Sequence, residues 1–294
     1  MNIDQFGMDT ITLAGPLDAK LRAVRDAGFG QIMLQARDIA GHPAGEGAAV
    51  EAVRKSGLRV TGFQVLRDFE GLAGHLHAYK LDIARAMLTM CRALGSKVLL
   101  VCSTTSTHAT DDSDAFVRDL RKLAMLAVPF NIRIAFEALS WGRHVNEMTQ
   151  AWDLVMRAER SNLGLAVDSY HMLATKTPLD ALDDVDPEKI LFVQLADFMW
   201  QEVRSPDERM NTARHFRVFP GEGVHSAEIV ALVRRLDALG YRGDYSFEVF
   251  NDDYVQLPLA TVSNRARRSV KWLVSQVPRR SLPVRSKTPG VVGI

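Results

Sequence analysis

The segment CRALGSKVLLVC (91–102) holds the fold in miniature. An amphipathic run ends at Gly95, and an almost wholly apolar, β-branched run follows at once. Glycine closes helices because it enters the left-handed region without a Cβ penalty. A strand that does not alternate apolar with polar residues belongs to a parallel sheet covered on both faces. The same helix–Gly–strand figure returns in LRAVRDAGFGQIMLQ (21–35), EAVRKSGLRVTGFQV (51–65) and LVRRLDALGYRGDYSFEVF (232–250).

Outward from these units, the pattern predicts strands at 11–14, 31–35, 59–65, 97–102, 132–137, 164–168, 190–195 and 245–249. Helices lie between them, for example at 17–27, 114–127, 146–157 and 226–239, each with a single apolar stripe. Eight strand–helix units over about 250 residues give the arithmetic of an α/β fold, a single (β/α)8 TIM barrel. An open doubly wound sheet is the rival, but no GxGxxG opens the first helix and eight units overfill it. Two segments interrupt the rhythm. Residues 196–223 form a long insertion after the seventh strand, a lid or a substrate wall. Residues 1–276 make up the barrel, and 277–294 form a basic, proline-rich tail read as flexible or as a subunit contact.

The 294 residues carry a net charge of +1 and are 47% hydrophobic, an ordinary globular composition with no bias toward nucleic acid or membrane surfaces. Without the four basic residues of the tail the body is mildly acidic. Cys91 and Cys102 form no CxxC pair, the first ten residues lack a signal-peptide pattern, and no apolar run approaches the ~18 residues of a membrane span. The expected setting is the cytoplasm.

The chemistry is written at the strand ends. IAFE ends at Glu137, GLAVD at Asp168, LFVQ at Gln194 and YSFE at Glu248. Three carboxylates and an amide oxygen thus reach one barrel rim from four successive strands. Acids crowded into a cleft raise each other's pKa, and a divalent cation relieves them. Hard oxygen donors favour Mg2+, Mn2+ or Co2+. In LGLAVDSYHML (163–173), Asp168 has the simpler alternative of capping the next helix. His171 follows it by three residues, as a base or as a hydrogen-bond donor that orients a ligand. Arg217 and Arg67 are candidates to receive a substrate carboxylate, with a salt bridge to Asp68 or Glu70 as the alternative for Arg67. His144 is a further possible substrate contact, Cys102 reads as a small core residue, and Trp141 as a pocket wall or loop packing.

Six segments together resemble the xylose-isomerase-like sugar phosphate isomerase/epimerase superfamily, and within it bacterial metal-dependent 3-dehydroshikimate dehydratases. They are FQVLRDFEGL (63–72), FEALSWGRHVNEMTQAWDLV (136–155), LGLAVDSYHML (163–173), ILFVQLAD (190–197), ARHFRVFPGEG (213–223) and SFEVFNDDY (246–254). The resemblance implies Glu137, Asp168, Gln194 and Glu248 as metal ligands, with Glu137 and Glu248 also catalytic, His171 as an active-site histidine and Arg217 as a substrate-facing arginine. It implies conversion of 3-dehydroshikimate to protocatechuate through a metal-stabilised enediolate. The substrate is then a small molecule with an α-hydroxy ketone and a carboxylate, and the chain a possible homo-oligomer. Ala213, Gln35 and the loop STTSTHATDD (103–112) depart from the dehydratase pattern. The alternatives are a sugar or inositol-type isomerase, epimerase or dehydratase acting on another α-hydroxy ketone, and a non-catalytic metal-binding barrel. An apurinic endonuclease would need a His-rich zinc cluster and a basic groove, and the sequence shows neither.

Overall fold

The computed structural model describes residues 3–277. Strands β1 (Phe6–Asp9), β2 (Gln31–Gln35), β3 (Arg59–Arg67), β4 (Val98–Cys102), β5 (Arg133–Glu137), β6 (Leu163–Asp168) and β7 (Ile190–Leu195) run parallel around a closed barrel. A short antiparallel pair, β8 (Asp197–Phe198) and β9 (Arg217–Val218), lies outside it, and β10 (Tyr245–Phe247) closes the ring between β7 and β1. The helices are α1 (Leu17–Asp26), α2 (Ala36–Ala40), α3 (Glu46–Ser56), α4 (Gly74–Leu94), α5 (Ser113–Ala127), α6 (Met148–Ala158), α7 (Ser169–Thr175), α8 (Pro206–His215), α9 (Ser226–Leu239) and α10 (Leu259–Gln276). This is the expected (β/α)8 barrel.

Apolar residues on alternate strand positions feed two cores, which is why the strands contain few polar residues. Val98, Leu100, Ala135, Ala166 and Phe192 fill the barrel interior. Leu99, Val101, Ile134, Leu165 and Val193 pack outward in the main core, with the helices. Register then decides what shares the inner face. Cys102 pairs with Glu137, Asp168 with Gln194, Gln194 with Ser246, and Ser246 with Gly7. Two residues beyond Ser246 and Gly7 on that face stand Glu248 and Asp9.

Five strands lie within one residue of their expected bounds, but the first does not. The β-branched run at 11–14 is not a strand. Asp9 Oδ1 accepts the Ile11 amide and turns the chain into a 3-10 helix at Thr10–Thr12, so the strand is the less apolar FGMD. Gly7 makes that strand possible, because a Cβ there would stand 2.8 Å from Gln31 Cγ on the neighbouring strand. Strand β3 runs two residues further than expected, to Arg67, and β10 stops two residues sooner, at Phe247.

The insertion after β7 is an ordered strap. Ser205 and Glu208 form a capping box and Pro206 begins α8, which carries the chain back to pair β9 with β8. Among the described residues no helix is long and apolar enough to cross a membrane. Apart from Val277, the tail expected at 277–294 lies outside the described residues.

Candidate metal centre

The structure gathers the four strand-end residues on one inner face at the C-terminal mouth of the barrel. Glu137 ends β5 at 3% exposure; one oxygen, Oε2, takes the Cys102 thiol at 2.9 Å and the other, Oε1, is buried without a partner. Asp168 fills both roles read from sequence, one oxygen each. Its Oδ1 caps α7 by accepting the Tyr170 amide at 2.7 Å, and its Oδ2 faces the cluster. Gln194 is fully buried, with Oε1 unpartnered. Glu248, the first residue beyond β10, is 5% exposed.

Arg217, expected to face the substrate, also has a duty within the cluster. Its Nη1 donates to Asp168 Oδ2 at 2.7 Å and to Glu248 Oε2 at 3.1 Å, so the guanidinium bridges two of the acids. Nε donates to the Ala213 carbonyl, and the plane stacks 4.5 Å from the Tyr170 ring. It lines the cavity at 2% exposure, with Nη1 on the acids and Nε on the Ala213 carbonyl. Three carboxylates against one guanidinium leave an excess of two negative charges in a buried space. Burial, reinforced by Asp168 and Glu248, pushes Glu137 well above the usual carboxylate range. Burial also raises Glu248, with Arg217 opposing and Asp168 reinforcing. Glu137, Asp168 and His171 place ligand atoms within 4.8 Å of one another. Orphaned oxygens, hard donors and a charge excess of two fit a divalent cation.

His171 sits in the first turns of α7 with its ring edge-on to Trp141 and Tyr170. Its Nδ1 accepts the Ser140 amide at 3.1 Å, so the neutral ring carries its proton on Nε2, 3.7 Å from Asp168 Oδ2. Burial drives the imidazole down to about 3, against a weaker pull from Asp168, and the ring is neutral at physiological pH. Trp141, left open between two roles in the sequence, lines the cavity.

The mouth opens into a cavity of about 1010 Å3. Its lining brings Glu137, Glu248 and His171 together with Arg37, Arg67, Arg214 and the Lys20–Asp38 pair. Arg67 is exposed, and among the described residues neither Arg67 nor Arg37 forms an ion pair, so the Asp68 or Glu70 bridge weighed for Arg67 is not made. Asp68 instead accepts the Thr105 amide, and buried Glu70 accepts the Thr104 amide. His144 is placed elsewhere: its ring lies 5.7 Å from Phe116 in a separate cleft with Asp111 and Thr149. Of the other departures, Ala213 and Gln35 both line the cavity.

Sequence reading missed Asp9, a carboxylate with no exposed surface whose Oδ2 accepts from Gln64 Nε2 at 2.6 Å and from Gln194 Nε2 at 3.4 Å. The signal was there, an acid ending a strand, but the pattern places that strand five residues too late.

A family model described as xylose isomerase-like TIM barrel matches residues 21–276. A 3-dehydroshikimate dehydratase of Pseudomonas putida is 35% identical over 272 residues, 92% of this chain and 42% of the relative. An inosose isomerase of Bacillus licheniformis is 27% identical, covering 68% of this chain and 70% of its own. Among solved structures, a xylose isomerase-like TIM barrel/4-hydroxyphenylpyruvate dioxygenase fusion protein superposes with a TM-score of 0.86 at 34% identity, over 93% of this chain and 43% of that one. The chain therefore spans less than half the length of the dehydratase and of the fusion protein.

Proposed function

The chain belongs to the xylose isomerase-like TIM barrel family, and on that premise we propose that it is a divalent-metal-dependent dehydratase converting 3-dehydroshikimate to protocatechuate. The observation that carries the reading is the buried convergence of Glu137, Asp168, Gln194 and Glu248 with two oxygens left unpartnered. These four would hold Mg2+, Mn2+ or Co2+. Such an ion, when bound, polarises a ketone as a Lewis acid and balances charge that develops as the α-proton leaves.

The remaining work falls to the chain. His171, read from the sequence as the base, has its Nδ1 lone pair on the Ser140 amide, and the role passes to Glu137, which has an open atom. The α-proton arrives at the open Oε1, on a carboxyl whose burial keeps its proton affinity high, while Oε2, which takes the Cys102 thiol, would be the oxygen left to the ion. His171, its Nδ1 held by the Ser140 amide, keeps its Nε2 edge beside Asp168 Oδ2 at 3.7 Å. The β-hydroxyl departs as water with the proton that Glu137 has taken, and transfer of a further ring proton to the ketone oxygen leaves the aromatic catechol. Arg217 holds Asp168 and Glu248 apart. Arg67 and Arg37, which line the same cavity without an ion pair, receive the substrate carboxylate, which a neutral sugar lacks. Isomerisation of an inosose-type α-hydroxy ketone is the second reading, supported by the Bacillus relative. The acidic cluster serves both reactions, and the cationic wall favours the first.

The test is direct. Protein loaded with Mn2+ or Mg2+ is given 3-dehydroshikimate, and catechol absorbance in the ultraviolet is expected to rise, with Glu248→Ala abolishing it. Absence of turnover in protein shown to hold the metal overturns the substrate assignment and moves the panel to inososes.

A further inference from the structure

We infer that Asp9 is a positioning residue that fixes the side-chain amide of Gln194 so that its oxygen, and not its nitrogen, is presented to the cation, an inference that rests on the metal-dependent reading above. The two oxygens of Asp9 do separate jobs. Oδ1 accepts the Ile11 amide at 3.2 Å, and Oδ2 accepts Gln64 Nε2 at 2.6 Å and Gln194 Nε2 at 3.4 Å. The other acceptor beside Gln194 Nε2 is the Met33 sulfur at 4.0 Å. An amide rotated by half a turn would bring its oxygen against Asp9 Oδ2, the atom that already takes the Gln64 Nε2 proton at 2.6 Å, and against a thioether, neither of which offers it a proton. The flip is therefore decided by Asp9, and the outcome is a fully buried Oε1 with no protein partner. Gln194 is in register with Asp168, so that oxygen belongs to the face the acids share. Both oxygens of Asp9 are taken by N–H donors, so Asp9 has no orphaned oxygen to offer the ion. It acts through Gln194, as partners of metal ligands do elsewhere.

Asp9→Asn is a sharp probe because the Ile11 amide still needs an acceptor. That requirement seats the oxygen of the introduced amide at the Oδ1 position and puts its NH2 group against Gln194, which then turns its oxygen inward and its own NH2 group toward the ion. Gln194→Glu in that background should cure the defect: one carboxylate oxygen accepts from the introduced NH2 group, the other faces the metal, and the total charge equals that of the natural protein. A capping role for Asp9 alone would not be cured at position 194.

Mn2+ affinity, read as the loss of free-ion signal by electron paramagnetic resonance, is compared for the natural protein, Asp9→Asn, and Asp9→Asn with Gln194→Glu. Asp9→Asn is expected to weaken Mn2+ about 10–100-fold, and the double variant to recover most of that loss. Unchanged affinity in Asp9→Asn, or no recovery in the double variant, overturns the inference. Should Asp9→Asn fail to fold, a structure of the natural protein with Mn2+ decides. Gln194 bound through oxygen with its nitrogen on Asp9 supports the inference, and Asp9 on the metal or Gln194 turned away overturns it. A natural protein that binds no Mn2+ removes the metal reading as well, whereas Mn2+ binding without turnover of 3-dehydroshikimate leaves the inference standing.

Discussion

The late and early halves of the barrel mouth are built from the same alternating strands yet carry opposite chemistry. From β5 to β10 the inner face ends in Glu137, Asp168, Gln194 and Glu248, buried and crowded, with one guanidinium from the strap laid between two of them. From β1 to β4 only one acid, Asp9, reaches that face, and it is saturated by N–H donors and set behind Gln194. The rest of the early rim includes Gln35, Arg67, Asp68 and Cys102, joined by Arg37 and the Lys20–Asp38 pair from the first helices, and of these cations Arg37 and Arg67 make no ion pair among the described residues. One half concentrates negative charge that a cation must relieve, and the other leaves positive charge open to an anionic ligand. The division teaches that metal and substrate recognition are separable here, and experiments can pull them apart.

The largest effect is expected from Glu137→Gln, which keeps shape and removes the open proton acceptor. Steady-state assays with 3-dehydroshikimate should show kcat reduced on the order of 10²–10⁴-fold. An activity within about tenfold of the natural protein would move the proton to His171.

Next comes Arg217→Met, which leaves Asp168 and Glu248 facing each other without their shared cation. Urea denaturation of metal-free protein should register a loss of about 3–5 kcal/mol. Added Mn2+ should narrow that gap, because an ion can take over the guanidinium's electrostatic duty. Equal losses with and without metal would mean that Arg217 acts by packing on Tyr170 and not by charge.

A smaller, pH-dependent effect belongs to Glu70 on the early side. Burial raises its carboxyl to about 8, against the Thr104 amide, which pulls it down. The folded protein therefore binds a proton there that the unfolded chain releases near 4.5. The contribution is fully present below about pH 4.5 and is lost as pH rises toward 8. Glu70→Gln should flatten the stability profile between about pH 5 and 8 by an amount on the order of a few kcal/mol. A profile as steep as that of the natural protein would show that Glu70 titrates normally.

The smallest is Arg67→Ala. Its guanidinium lines the cavity without an ion pair, so KM for 3-dehydroshikimate should rise about tenfold, the scale of one exposed charge-assisted contact, with Mn2+ affinity and kcat changed less. A fall in Mn2+ affinity would erase the boundary between the two halves.

How much of this could be read in advance depends on the range of the forces involved. Strand and helix positions follow from hydrophobic period and Gly caps, which act over a few residues. Most of the strands in the middle of the chain were therefore legible, and with them the acids that end them. The first strand was not, because a single hydrogen bond from the Ile11 amide to Asp9 outweighs the β-propensity of ITLA. His144 lies away from the acids for a similar reason: nearness to Glu137 in sequence does not survive a loop that packs its ring on Phe116.

By itself the sequence determined the barrel, the four strand-end oxygen donors and the hard character of the site they make, since each is fixed by local pattern and residue chemistry. Only the tertiary structure decided that Arg217 bridges two acids, that His171 has given its lone pair to Ser140, and that Asp9 stands behind Gln194. Those contacts join residues between 31 and 185 positions apart. They depend on register and on the strap's return path, and neither leaves a periodic trace in the chain.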